Sequence, residues 1–134
     1  MTALPAPFLM LMPSMTTLLC IAFFGAAGAA VRYGVGEAAR ALGVQGFPAA
    51  TLFVNVVGSL LLGASAAFFA GGASPELAAG VMKGFCGALT TFSTFSMDTV
   101  RFFKQGRHAA AAANIVLNAV LCFGVAYMAF SAGR

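Results

Sequence analysis

Gly84-Phe85-Cys86-Gly87-Ala88-Leu89-Thr90-Thr91-Phe92-Ser93-Thr94-Phe95-Ser96-Met97-Asp98 is the stretch on which the fold of this chain turns. Five hydroxyl residues fall between Thr90 and Ser96, directly after two glycines, Gly84 and Gly87. They sit inside a segment, from about Glu76 to Lys104, that is long enough to cross a membrane. A single Ser or Thr in such a helix bonds back to its own carbonyls. Five in seven positions, beside two glycines, predict a place where the helix opens. The alternative is a regular helix in which every hydroxyl bonds back. Irregular backbone at membrane depth persists only where it is buried in protein or lines a wet cavity. Freed carbonyls there can hold a cation, and freed N–H groups can face an anion.

The rest of the chain places that stretch in a bilayer. Of 134 residues, 61% are hydrophobic and 7% charged, against roughly 45–50% and 25% in soluble domains. Mean hydropathy is +0.98. So few charges cannot cover a soluble surface, which excludes an ordinary cytosolic enzyme and a disordered tail. The net charge is +4, but the bases are scattered and form no contiguous cationic face. The lipid bilayer is therefore a partner and nucleic acid is not. The length allows one domain of about four spans of roughly 20–25 residues and leaves no room for a separate catalytic domain. Met1 to Ser14 is apolar and interrupted by Pro5, Pro7 and Pro13, and no Lys or Arg precedes Arg32. The basic start of a signal peptide is absent, so residues 1–14 read as an irregular lead-in and 15–134 as the membrane domain. Cys20, Cys86 and Cys122 lie inside apolar runs, fit no metal motif and read as small packing residues.

Four spans can be drawn: about Thr17 to Leu42, Phe47 to Ala70, Glu76 to Lys104 and His108 to Phe130. Short loops make neighbours antiparallel. Thr51, Asn55, Ser59, Gly63 and Ala67 recur every fourth position in the second span, and Gly25, Gly28, Arg32 and Gly36 share a side of the first. In lipid, helices associate through close backbone approach and polar contacts, so these stripes mean helix packing. The fold class is an all-α membrane protein with four transmembrane helices per subunit, the third broken mid-membrane. Four thin helices enclose little interior, so a permeation path, if there is one, is expected between subunits.

Several side chains carry candidate chemistry. Phe92 and Phe95, at i and i+3, share a helix face. Aromatic edges are positive and can solvate a small anion without a charge that traps it; lipid-facing or core packing is the competing reading. Asn55 stands mid-span with two donors and an acceptor, to meet an anion or to bridge helices. Asn114, Asn118 and Cys122 form an i, i+4, i+8 stripe, a polar track or interhelical glue. A midplane Arg costs about 2.5–3.5 kcal/mol, which puts Arg32 near a span end or in a wet vestibule. Glu37, Arg40, Glu76, Lys83, Arg101, Lys104, Arg107 and Arg134 fit interfacial anchoring, and His108 a loop-to-helix junction. Asp98 pairs with Arg101 or touches a pathway mouth. No span carries a central acid, which argues against a proton-coupled exporter of cationic drugs. No phosphate-binding loop, zinc-protease helix or nucleophile elbow is present, so the chain does not read as an enzyme.

The run Gly87-Ala88-Leu89-Thr90-Thr91-Phe92-Ser93-Thr94-Phe95-Ser96 resembles the signature of the Fluc/CrcB family of small fluoride channels. Gly25-Ala26-Ala27-Gly28-Ala29-Ala30-Val31-Arg32-Tyr33 resembles that family's glycine-rich first helix. Thr51-Leu52-Phe53-Val54-Asn55-Val56-Val57-Gly58-Ser59 resembles its second-helix motif, and Asp98 stands where an acid is common. The likeness runs from about Phe24 to the end. It implies a passive fluoride-selective channel that exports fluoride across the bacterial inner membrane (the plasma membrane). It also implies an antiparallel dual-topology homodimer with two pores along the subunit interface.

By position, Phe92 and Phe95 are implied as ring-edge ligands of fluoride and Asn55 as the amide donor. Thr91, Ser93 and Thr94 add hydroxyls. Asn114 and Asn118 stand in a fourth-helix track that usually carries Tyr and Ser, and Arg32 lies at the vestibule. The backbone carbonyls of Gly87 and Thr90, from both subunits, are implied to hold one structural Na⁺. Arg32, Arg40, Arg101, Lys104 and Arg107 fall on one side of the membrane, Lys83 and Arg134 on the other. That bias favours one orientation and leaves an oppositely oriented paralogue as the alternative partner. The competing functional readings are a small multidrug-type proton-coupled transporter and a non-transporting membrane assembly protein.

Overall fold

A computed structural model describes residues 13–44, 47–72 and 74–134. Apart from Pro13 and Ser14, the expected lead-in over 1–14 lies outside the described residues. The described residues form helices joined by short turns, with no strand among them. The helices are α1 (Met15–Ala41), α2 (Ala49–Phe68), α3 (Pro75–Ala79), α4 (Gly87–Leu89), α5 (Phe92–Lys104) and α6 (His108–Ala132). A 3₁₀ turn (Phe69–Gly71) extends α2, and a π-helical segment (Gly80–Cys86) joins α3 to α4.

Local chemistry sets the ends. The Ser14 hydroxyl accepts the Thr17 N–H at 3.1 Å, an N-cap that starts α1 two residues before the expected Thr17. Gly106, at φ +70°, turns the chain between α5 and α6 in a conformation that side chains resist.

Among the described residues, three helices are long and apolar enough to cross a membrane: Met15–Ala41, Ala49–Gly71 and His108–Ala132, of 27, 23 and 25 residues. About 20 suffice, so the chain is a multi-pass membrane protein. The expected third span is instead two rods, 75–89 and α5, which meet at Thr90–Thr91. The 13 residues of α5 reach only about 20 Å at ~1.5 Å per residue, short of a ~30 Å hydrocarbon core.

The small-residue stripes mark the helix crossings. A Cβ added to Gly28 would lie 2.4 Å from the Phe85 carbonyl oxygen, so α1 touches the 75–89 rod backbone to backbone. One added to Gly63 would lie 2.1 Å from the Ala126 carbonyl oxygen, so α2 does the same with α6. Such contact replaces the hydrophobic driving force that lipid removes. The few buried apolar side chains include Val54, Cys86, Leu89 and Phe102, and as many buried ones are polar: Thr51, Asn55, Thr91, Thr99, Asn114 and Asn118. The polar set gathers where the third segment breaks.

Candidate anion pathway at the helix break

The break begins where Thr90 turns extended, at φ −77°, ψ 158°. Its N–H still reaches the Cys86 carbonyl at 3.1 Å, and its hydroxyl bonds back to the same carbonyl at 3.0 Å. The next N–H leaves the helix. In a continuous helix Thr91 N–H would serve the Gly87 carbonyl; here it donates to Asn55 Oδ1 at 2.8 Å. Asn55 Nδ2 returns to the Thr91 carbonyl at 3.3 Å. One side-chain amide of α2 thus takes both backbone groups of the first residue past the break.

Thr91 then caps α5. Its Oγ1 accepts the Thr94 N–H at 3.2 Å, donates to Thr94 Oγ1 at 3.1 Å and lies 3.2 Å from Ser93 Oγ. The dense hydroxyls therefore build a helix start rather than a row of back-bonds. Of the run, Thr90 is the residue that bonds back in the manner of the continuous-helix alternative.

Past the cap, the Phe92 and Phe95 rings stand 5.6 Å apart, tilted by 46°. Phe92 is 79% exposed in the single chain. Asn55, Thr91, Phe92, Phe95 and Asn118 line one cavity of about 430 Å³. Arg32, Thr51, Thr91 and Thr94 line a second of about 180 Å³, which shares Thr91 with the first. Arg32 Nη1 donates to the Thr90 carbonyl at 3.2 Å, so the guanidinium faces the carbonyl end of the break. The residues that line the first cavity are all uncharged. A sequence model of the family described as CrcB-like protein, Camphor Resistance (CrcB), matches residues 19–130.

The chain belongs to the CrcB family. It is 44% identical over 115 residues to a protein of Shewanella amazonensis named fluoride-specific ion channel FluC, covering 85% of this chain and 93% of that one. A Geobacter sulfurreducens protein of the same name is 39% identical over 122 residues, 90% of this chain and 98% of its own. One from Vibrio parahaemolyticus is 46% identical over 112 residues, 82% and 88% of the two chains.

Within this CrcB fold the expected site residues do not all converge. Asn55, Thr91, Phe92, Phe95 and Asn118 do, and Arg32 and Thr94 meet Thr91 in the second cavity. Ser93 is exposed and lines neither cavity. Asn114 is fully buried behind Asn118. Cys122, expected on the same stripe, does not line the first cavity. Two residues outside the expected set join it. Thr51 donates to Asp98 Oδ2 at 3.3 Å and lines the Arg32 cavity. Thr99 donates to the Phe95 carbonyl at 2.8 Å. Thr51 heads the second-span stripe and the second-helix motif, and the signal for Thr99 is its position one turn after Phe95. Asp98 lies 3.8 Å from Arg101, the pairing expected of it.

Backbone oxygens at the break suit a hard cation in kind. The Gly87 carbonyl has lost the Thr91 N–H, and the Thr90 carbonyl, bonded by Arg32, keeps a second lone pair. Two oxygens are too few for a hard cation, which takes a larger oxygen shell.

Proposed function

We propose that this chain is a passive fluoride-selective channel that lets a bacterial cell shed fluoride across its inner membrane. The observation that carries the reading is the convergence of uncharged groups on one cavity at the break: the Asn55 amide, Thr91, and the Phe92 and Phe95 rings. Relatives 39–46% identical that bear the name fluoride-specific ion channel support it.

Fluoride is small and holds its water tightly, so a narrow path accepts it only where donors replace that water at close range. Conduction needs binding firm enough to enter and weak enough to leave. Neutral amides and ring edges meet both demands, whereas a cation in the path would trap the ion. Arg32, turned to the Thr90 carbonyl, contributes positive potential near the path while its guanidinium is held off it.

The broken third segment completes a fourth membrane crossing. Two copies pair antiparallel in dual topology, or one copy pairs with an oppositely oriented paralogue, and the exposed Phe92 faces the partner. The Gly87 and Thr90 carbonyls of both copies hold one structural Na⁺, whose positive charge at the shared axis stabilises the paired breaks.

Fluoride-electrode recordings of efflux from reconstituted vesicles test this reading. Fluoride leaves fast, without a proton gradient, and chloride stays. Equal chloride efflux sinks the selectivity, and flux that requires a proton gradient revives the multidrug-type transporter. Vesicles tight to fluoride leave the non-transporting assembly reading in its place.

A further inference from the structure

Asn114 and Asn118 stand one turn apart on α6, and their amides can be followed hydrogen by hydrogen. Asn118 Oδ1 accepts from Asn55 Nδ2 at 2.9 Å. Asn118 Nδ2 donates to the Asn114 carbonyl at 3.0 Å and to Asn114 Oδ1 at 3.1 Å. Asn114 Nδ2 donates to Thr99 Oγ1 at 2.9 Å and to the Phe95 carbonyl at 3.4 Å. Thr99 Oγ1 donates in turn to that carbonyl at 2.8 Å. An amide nitrogen has two hydrogens, and all three asparagines have both committed; of the two that reach the first cavity, Asn118 holds its bonds at 3.0 and 3.1 Å, whereas one of Asn55's is 3.3 Å. Asn114 and Asn118 are buried, at 0% and 7% exposure. The line of bonds starts at the Thr91 backbone and ends at the Phe95 carbonyl, and so brackets the turn that carries both rings. Its loosest link inside the cavity is Asn55 Nδ2 to the Thr91 carbonyl, at 3.3 Å.

We propose that Thr99, Asn114 and Asn118 are positioning residues: a closed hydrogen-bond relay that fixes the Phe95 backbone and aims the Asn55 amide, while Asn55 alone of the three asparagines exchanges a bond for the halide. The inference rests on the fluoride reading above and goes beyond it. It takes the α6 asparagines out of the path and assigns a role to Thr99. The hydrogen exchanged is the one now on the Thr91 carbonyl, because the other is held more tightly by Asn118.

The chain contains three asparagines, so asparagine-selective ¹⁵N labelling of the full-length protein in lipid gives three side-chain amide signals for magnetic resonance. Titration with sodium fluoride, against sodium chloride as control, shifts the Asn55 signal and leaves Asn114 and Asn118 in place. Comparable shifts at Asn114 or Asn118 overturn the relay and leave the fluoride reading standing. No shift at any of the three overturns both. Efflux supplies the second readout. Thr99→Val removes the hydroxyl at nearly constant shape, and fluoride efflux falls about tenfold, the scale of one buried hydrogen bond, with a lower fluoride-to-chloride ratio. Thr99→Ser restores the hydroxyl and keeps both within twofold of wild type. A Ser variant as impaired as the Val variant, or a Val variant that conducts and selects like wild type, overturns the relay.

Discussion

Replacing Asn55 by Leu, which has the same branched heavy-atom skeleton and no polar atoms, tests the break and the ion contact together. Three hydrogen bonds disappear: the Thr91 N–H to Oδ1 at 2.8 Å, Nδ2 to the Thr91 carbonyl at 3.3 Å, and Nδ2 to Asn118 Oδ1 at 2.9 Å. The groups left behind belong to residues no more than 7% exposed. A buried polar group without a partner costs about 1–3 kcal/mol, so the Thr91 N–H and Asn118 Oδ1 together impose ~2–6 kcal/mol on the broken conformation. The alternative satisfies the first of them at once: Thr91 N–H returns to the Gly87 carbonyl and the helix runs on, carrying Phe92 and Phe95 to another face. Even ~2 kcal/mol shifts that balance about thirtyfold toward the closed helix. Initial fluoride efflux from vesicles, normalised to reconstituted protein, therefore falls by up to that factor through the conformational balance, and further through loss of the amide contact. Hydrogen exchange over residues 90–96 changes with it. Asn55→Asp is the companion variant. A carboxylate still accepts the Thr91 N–H and holds the break, so exchange stays near wild type, while its charge repels fluoride and efflux falls. Efflux from the Leu variant within twofold of wild type would refute the reasoning, because the amide would then neither hold the break nor meet the ion.

Three further outcomes follow from the same geometry. Phe92→Ile lowers fluoride efflux at least tenfold with a normal chromatographic profile, because a ring 79% exposed in the single chain contributes little to its folding; unchanged efflux removes the ring edges from the pathway. Gly28→Val forces a side chain toward a backbone oxygen 2.4 Å from its Cβ position, whereas Gly34 has open space within 4 Å. The first destabilises by the upper part of the ~1–3 kcal/mol typical of overpacking and Gly34→Ala stabilises by up to ~1 kcal/mol, which melting in detergent compares; equal Tm values contradict the close crossing. Vesicles in which a bulky organic cation replaces Na⁺ lose fluoride efflux and regain it when Na⁺ returns, and rates indifferent to the cation remove the metal from the break.

Apolar runs and glycine breaks were enough to place the long helices within a few residues, because those features act within a turn or two of the chain; the Ser14 cap that starts α1 earlier was not read. The interruption at Thr90–Thr91 was legible for the same reason: hydroxyls and glycines compete with the helix locally. What could not be read was which distant group takes the released backbone. Asn55 lies 36 residues from Thr91, and its double bond to that residue depends on how α2 is rotated against the third segment. The fourth-helix stripe was visible as a pattern, yet whether its amides face an ion or each other depends on the depth of α6 beside α5. Arg32 was readable as a costly charge, and its partner, the Thr90 carbonyl, was not. The π-helical turn at Gly80–Cys86 left no mark in the apolar pattern, since a π turn inserts its extra residue without changing composition.

The two ends exposed by the break carry opposite partial charges. The 75–89 rod ends on carbonyls, the negative pole of its peptide dipoles, and α5 begins on N–H groups, the positive pole. A chain that only needed to tolerate the interruption in lipid would satisfy both poles alike. This one treats them differently. The carbonyl pole receives a full positive charge from Arg32, while the N–H pole receives neutral acceptors, Asn55 Oδ1 and Thr91 Oγ1. Cancelling the negative pole and leaving the positive one uncharged tilts the local potential toward an anion on the α5 side, where the cavity with the two rings lies. Exchanging Arg32 for a neutral residue would restore the opposing dipole, and placing a cation beside Asn55 would deepen the well until the ion stayed.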